Sequence, residues 1–187
     1  MDEKDYTIYK LLNENGRTKL VEIARKLGFS HPSAKERMEK LFKNEDIKVK
    51  ALLNIKKKKW KVAVCNMRVE NMGNAVKLAD IFKKCPRVVF IQTMTGAYNL
   101  LLIAVGQSTQ ILEYFIETEL RSRPEIKKLD ISIGDAPVYP EFFDIKIPEK
   151  KLLRPPCGIN YCPDCYLYNK DCEGCPASIH WRGINFS

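Results

Sequence analysis

Five cysteines stand close together near the C-terminal end of the chain, in the run Cys157-x4-Cys162-x2-Cys165-x6-Cys172-x2-Cys175. Thiolates paired at two-residue spacing can hold one metal centre from adjoining turns, and two such pairs in succession are a specific signal for that chemistry. Two occupants suit four thiolates. Zinc would take Cys162, Cys165, Cys172 and Cys175 as a tetrahedral set. A 4Fe-4S iron–sulfur cluster also takes four cysteines, often at this spacing and often followed by proline, as in Cys162-Pro163 and Cys175-Pro176. The short gap between the pairs and the fifth thiol tilt the expectation slightly toward iron–sulfur over zinc. The other two of the seven cysteines, Cys65 in a predicted strand and Cys85 at a predicted helix end, read as small buried hydrophobes. His180 reads as structural rather than as an outside ligand.

Clustered cysteines are not the spread pattern of a secreted disulfide scaffold. The chain of 187 residues opens on the polar stretch Met1-Asp2-Glu3-Lys4-Asp5, which is not a secretory signal, and a cytoplasmic location is expected. No apolar run approaches the roughly 18–20 residues that a membrane span requires, so no membrane partner is expected. The net charge of +9 is unevenly placed. Residues 1–61 carry 17 Lys and Arg against 9 Asp and Glu, whereas residues 62–187 carry 15 against 14. Positive charge gathered into one module is what neutralisation of nucleic-acid phosphates requires.

The elements that must position these groups are legible from periodicity. Ile8, Leu11 and Leu12 share one face of a helix over residues 5–13, ended by Asn15-Gly16. Leu20, Ile23, Ala24 and Leu27 share a face of a second helix over residues 19–27, ended by Gly28. Ser30 is an N-cap with Pro32 in the first turn, opening a third helix over residues 31–44 that buries Ala34, Met38 and Leu41 and presents Ser33, Lys35, Arg37 and Lys40. Two short helices joined at Gly28, followed by a basic element, make a helix-turn-helix. Residues 47–55 alternate and predict a small hairpin, a wing, and Lys56 to Lys59 follow as a linker or phosphate contact. Strand patterns at 61–69, 88–94, 99–105 and 126–133 interleave with helices at 74–84 and 109–120, which is a βαββαβ ferredoxin-like order. The expected fold is therefore α+β: a winged helix-turn-helix over residues 1–60, a ferredoxin-like domain over 61–147, and a small irregular Cys-rich tail over 148–187.

With these pieces in order, residues 1 to about 135 resemble the Lrp/AsnC, or feast/famine, family of transcription regulators. The carriers are Asp5, Leu11-Leu12 and Asn15-Gly16-Arg17, then Glu22-Ile23-Ala24, Leu27-Gly28-Phe29-Ser30, Ser33, Arg37-Met38, Leu41 and Ile47, and finally Thr95-Gly96-Ala97-Tyr98-Asn99-Leu100. The resemblance implies double-stranded DNA with a pseudo-palindromic operator as partner, and assembly as a homodimer or higher homo-oligomer. It assigns DNA contact to Ser30, His31, Ser33, Ala34, Lys35 and Arg37. It also implies an effector, such as an amino acid, near Gly96, Ala97, Tyr98 and Asn99, although Asn99 stands where many members carry Asp. The tail lies outside the family pattern, and Cys157, Cys162, Cys165, Cys172 and Cys175 remain the expected metal ligands. Sirohaem decarboxylases share the two-domain architecture and are enzymes, but rely on His and Arg around a tetrapyrrole. With two histidines, His31 and His180, and no phosphate loop or nucleophile motif, the chain is expected not to be an enzyme.

Overall fold

The computed structural model describes residues 1–158 and 161–183, which divide into two compact units, Met1–Ala51 and Leu52–Ser187. In the first, α1 (Glu3–Glu14), α2 (Leu20–Leu27) and α3 (His31–Lys43) close around Ile8, Ile23 and Leu41, all buried. Each boundary has a local cause. The Asp2 carboxylate accepts from the Lys4 and Asp5 N–H groups and starts α1, while Asp5 reaches back to the Asp2 N–H as a capping box. Gly28 ends α2 at φ 65°, a backbone state that an L side chain disfavours. The Ser30 hydroxyl accepts from the Ser33 N–H and starts α3.

The expected wing does not form. Residues 47–52 carry no strand, because the alternating stretch has no second local strand to pair with. Leu53–Asn54 (β1) instead pairs antiparallel with Phe142–Phe143 (β6), far along the chain. Leu53 thereby joins Ile55, Trp60, Val105, Phe143 and Ile145 in a small apolar cluster of the second unit. The lysine run after it lies in a turn of that unit, where Lys56 is ion-paired with Glu141 at 2.7 Å.

The second unit is built on β2 (Lys61–Val69), α4 (Met72–Phe82), β3 (Val88–Thr93), β4 (Leu100–Gly106), α5 (Thr109–Phe115) and β5 (Ile126–Asp135). The sheet order β3-β4-β2-β5, antiparallel throughout, is the ferredoxin-like arrangement. Period-two alternation turns Ala63, Cys65, Met67 and Val69 of β2, with Leu100, Leu102 and Ala104 of β4, toward the helices. There they meet Ala75, Leu78, Phe82, Leu112, Phe115, Ile116 and Leu120, and the tail residue Cys157 is buried in the same core.

The helix expected over residues 109–120 has two parts. After Phe115 the backbone widens into π turns over Ile116–Arg121. The Thr118 and Ser122 hydroxyls donate to the Tyr114 and Thr118 carbonyls at 2.6 and 2.7 Å, competing with the regular ladder there. The widened segment carries Glu119 inward, fully buried, with Arg123 3.9 Å away. No helix of the described residues is long and apolar enough to cross a membrane.

Candidate nucleic-acid interface and cysteine site

Along α3 the side chains expected to meet DNA divide by placement. Ser30, His31, Ser33 and Lys35 are exposed at the N-terminal half of the helix, where the positive end of the helix dipole favours phosphate. The Ser30 and Ser33 hydroxyls are 2.8 Å apart, and Lys35 lies 3.7 Å from Glu39 across one exposed turn. Ala34 is fully buried. Its methyl packs inward, so the expected side-chain contact from Ala34 fails.

Arg37 turns toward the start of α1. Its guanidinium donates to Asp5 Oδ1 at 2.6 Å and to Asp2 Oδ2, and it lies 5.9 Å from the Phe29 ring centre. The Asp5 carboxyl is held below its ordinary pKa by hydrogen bonds from Arg37 and the Asp2 N–H. Asp2 is lowered by the Asp5 N–H and then by Arg37. A depressed carboxyl contributes stability that is present above the unfolded pKa, about 3.9. That contribution is lost as pH falls through the lower folded value. The thermal midpoint of the N-terminal unit is therefore expected to be insensitive to these groups above about pH 5 and to fall below about pH 4. Asp5→Asn should flatten the acid limb, as read by circular dichroism melts between pH 2 and 7, and an unchanged limb would contradict the assignment.

The 96–99 loop joins β3 to β4. Gly96 is exposed at φ 133°, with open space where a Cβ would stand, and its carbonyl accepts from Arg68 Nη1 at 2.8 Å. Ala97 is exposed, and the Tyr98 hydroxyl donates to Asp130 on β5. Asn99 differs from these three. It is buried, and its side chain accepts from the Val69 N–H at 2.7 Å and donates to the Val69 carbonyl at 2.8 Å. An amide can make both bonds, whereas a carboxylate can only accept. Asn99→Asp is thus expected to destabilise the second unit by about 1–3 kcal/mol, from the unmet Val69 carbonyl and the buried charge. Urea unfolding would read this, and a neutral result would contradict it.

The cysteines meet at a third place. Tight turns bring them round: the Cys165 N–H donates to the Cys162 carbonyl at 3.0 Å in a 3-10 turn over Cys162–Asp164, and the Ser178 N–H donates to the Cys175 carbonyl at 2.8 Å. Gly174, at φ 88°, lets the chain pass where a Cβ would come within 3.0 Å of the His180 carbonyl. Cys157, Cys162, Cys165, Cys172 and Cys175 all line one cavity of about 60 Å³, against α5, the π turn and the corner before β3. Arg123 secures the tail there by donating to the Cys157 carbonyl at 2.7 Å.

Cys85 lines the same cavity. It is buried in the same core cluster as Cys157. Cys85 is the small buried core residue expected, and its place on the cavity wall is what the sequence reading did not give. A signal was present, since Cys85-Pro86 repeats the Cys-Pro step of Cys162-Pro163 and Cys175-Pro176. Cys65, by contrast, is enclosed in the sheet core, where burial pushes its thiol up to about 12. The environment of the six differs from thiol to thiol. Burial raises Cys175 to about 11; Cys157 is raised by Cys85 and by burial; Cys85 is lowered by its bond with Cys157 and by Arg87. Arg87 also reaches Cys172 Sγ at 3.6 Å. His180 is not among the lining residues; its ring packs edge-on against Tyr161 and Tyr168.

The donor set, six sulfurs with an arginine beside them, fits a soft thiophilic centre. Among the described residues, no three His, Cys, Asp or Glu side chains are arranged to hold a single metal ion. The cavity has room for several waters, since one needs roughly 10–15 Å³ of such space and about 60 Å³ is open.

A helix-turn-helix with a basic exposed recognition element, followed along the chain by a ferredoxin-like unit, defines the chain as a DNA-binding protein of the helix-turn-helix class. Comparison with known proteins agrees. An AsnC-type helix-turn-helix domain matches residues 1–41 and an Lrp/AsnC ligand binding domain matches residues 62–134. An uncharacterized HTH-type transcriptional regulator of Pyrococcus furiosus is 31% identical over 135 residues, 71% of this chain and 90% of the relative. E. coli AsnC shares the fold with a TM-score of 0.63 at 18% identity, over 72% of this chain and 91% of that one. A Neisseria meningitidis transcriptional regulator solved as a complex with L-Met has a TM-score of 0.61 at 22% identity, over 72% and 89%. The chain belongs to the Lrp/AsnC family and is a DNA-binding transcription regulator, not an enzyme of the sirohaem decarboxylase kind.

Proposed function

We propose that this regulator binds pseudo-palindromic DNA as a homodimer or higher homo-oligomer, and that an iron–sulfur cluster held by its C-terminal cysteines sets its affinity for that DNA. One observation carries the reading: all five tail cysteines line one cavity beside α5 and the π turn. Ser30, His31, Ser33 and Lys35 meet the DNA, the hydroxyls and Lys35 serving the phosphate backbone near the helix N-terminus. Arg37 belongs to this surface only when released from Asp2 and Asp5.

A cluster is favoured over zinc by room. A zinc ion draws four sulfurs to within about 3.8 Å of one another, the edge of a tetrahedron with 2.3 Å bonds, whereas these cysteines line a cavity of about 60 Å³. An amino-acid effector, by analogy with the Neisseria regulator and its L-Met, would meet the 96–99 loop through Gly96, Ala97 and Tyr98. The Asn99 side chain is held by Val69 and is not free for it. Anaerobic purification with iron, sulfide and zinc analysis tests the cluster reading. Stoichiometric iron and sulfide with broad visible absorption supports it, and a colourless protein holding zinc sinks it.

A further inference from the structure

We infer that the thiolate site is shared between the tail and the ligand-binding domain, with Cys85, Cys157, Cys162 and Cys175 as its four ligands and Cys165 and Cys172 outside the set. The inference rests on the reading of the tail as a metal site, but it departs from the pairing that the two Cys-x2-Cys steps suggest.

Two observations carry it. The first is enclosure. Cys85, Cys157, Cys162 and Cys175 are buried, at 1, 4, 8 and 8% exposure, whereas Cys165 and Cys172 are only half-buried. The second is placement. Cys85 and Cys157 pack in one buried cluster and Cys162 and Cys175 in another, and both pairs face the same cavity.

The consequence is mechanical. Cys85 follows α4 directly, three residues after Phe82, and precedes β3. A centre bound by Cys85 and three tail thiols ties residues 157–175 to the sheet domain by metal–sulfur bonds. Loading then clamps the tail, and loss of the centre leaves it held by packing and by hydrogen bonds such as that from Arg123 to Cys157.

The test uses the full chain, reconstituted anaerobically with ferrous iron and sulfide and, separately, with zinc. Iron, sulfide and zinc per chain are measured, together with the rate of loss to a chelator. Cys85→Ser and Cys85→Ala are expected to lose the centre about tenfold faster or more, and Cys165→Ser and Cys172→Ser to keep wild-type stoichiometry. Cys65→Ser, in the sheet core, controls for a cysteine change that leaves the cavity alone, and circular dichroism melts of the apo proteins show whether each variant folds. A wild-type protein that takes neither iron–sulfide nor zinc overturns both this inference and the metal-site reading. A wild type that loads, beside a folded Cys85→Ala that loads and holds equally well, overturns the shared site alone. Loss of the centre in Cys165→Ser or Cys172→Ser overturns the assignment of the four. Should both Cys85 variants fail to fold, thiol alkylation decides: loading must protect Cys85 in the wild type, and a Cys85 labelled as fast with the centre as without it overturns the proposal.

Discussion

Phe82→Ala is expected to remove about 3–5 kcal/mol from the stability of the second unit. Phe82 has no exposed surface, packs edge-on to Phe115 with ring centres 6.2 Å apart, and has the Arg123 guanidinium 5.0 Å from its ring centre. It stands where α4, α5 and the tail meet, and the cavity left by its loss is walled by helices and sheet that can close only in part. Arg123 also donates to the Cys157 and Glu119 carbonyls, so a loosened Arg123 weakens the hold on the tail. Urea unfolding should show a lower midpoint with little change in slope. A loss below about 1 kcal/mol would show that the ring is not the keystone that its burial indicates.

Ile23→Ala is expected to act on the other unit and to weaken DNA binding without touching any side chain that meets DNA. Ile23 is buried with Ile8 and Leu41 at the centre of the three helices, with Leu11, Leu12, Leu27, Met38 and Ile47 packed around them. A unit of this size has roughly 3–8 kcal/mol of stability at ordinary values per residue, and an Ile→Ala change removes about 2–5 of it. The N-terminal unit would then keep only a small margin of stability and melt well below the wild type, while the second unit keeps its melt. DNA binding and an N-terminal melt close to wild type would contradict this.

Much of this was legible in the sequence because its causes are local. Ser30 and Gly28 bound α3 and α2 through their own hydroxyl and backbone freedom, and alternation in residues 61–69 places Cys65 and Met67 on the helix face. What the sequence hid depends on partners far away along the chain. Residues 47–55 carry a strand pattern, yet whether Leu53 pairs within a wing or with Phe143 is decided by a segment some ninety residues on. Arg37 reads as a DNA contact until Asp2 and Asp5 are brought beside it by the packing of α1 on α3. The change to π turns at Ile116 depends on competition by hydroxyls that helical periodicity does not register. Cys85 was judged by its neighbours in sequence, where it stands alone, and not by its neighbours in space, which are five more thiols.

The proposed thiolate centre and the DNA surface are expected to be thermodynamically coupled. The direct measurement is the affinity of the full chain for genomic fragments that it selects itself, taken anaerobically at fixed salt with the centre loaded and after its removal by chelation. A coupling of ordinary size changes the Kd by about fivefold or more. Equal affinities for a protein shown to load and unload would contradict the claim and leave the cysteine site a structural clasp.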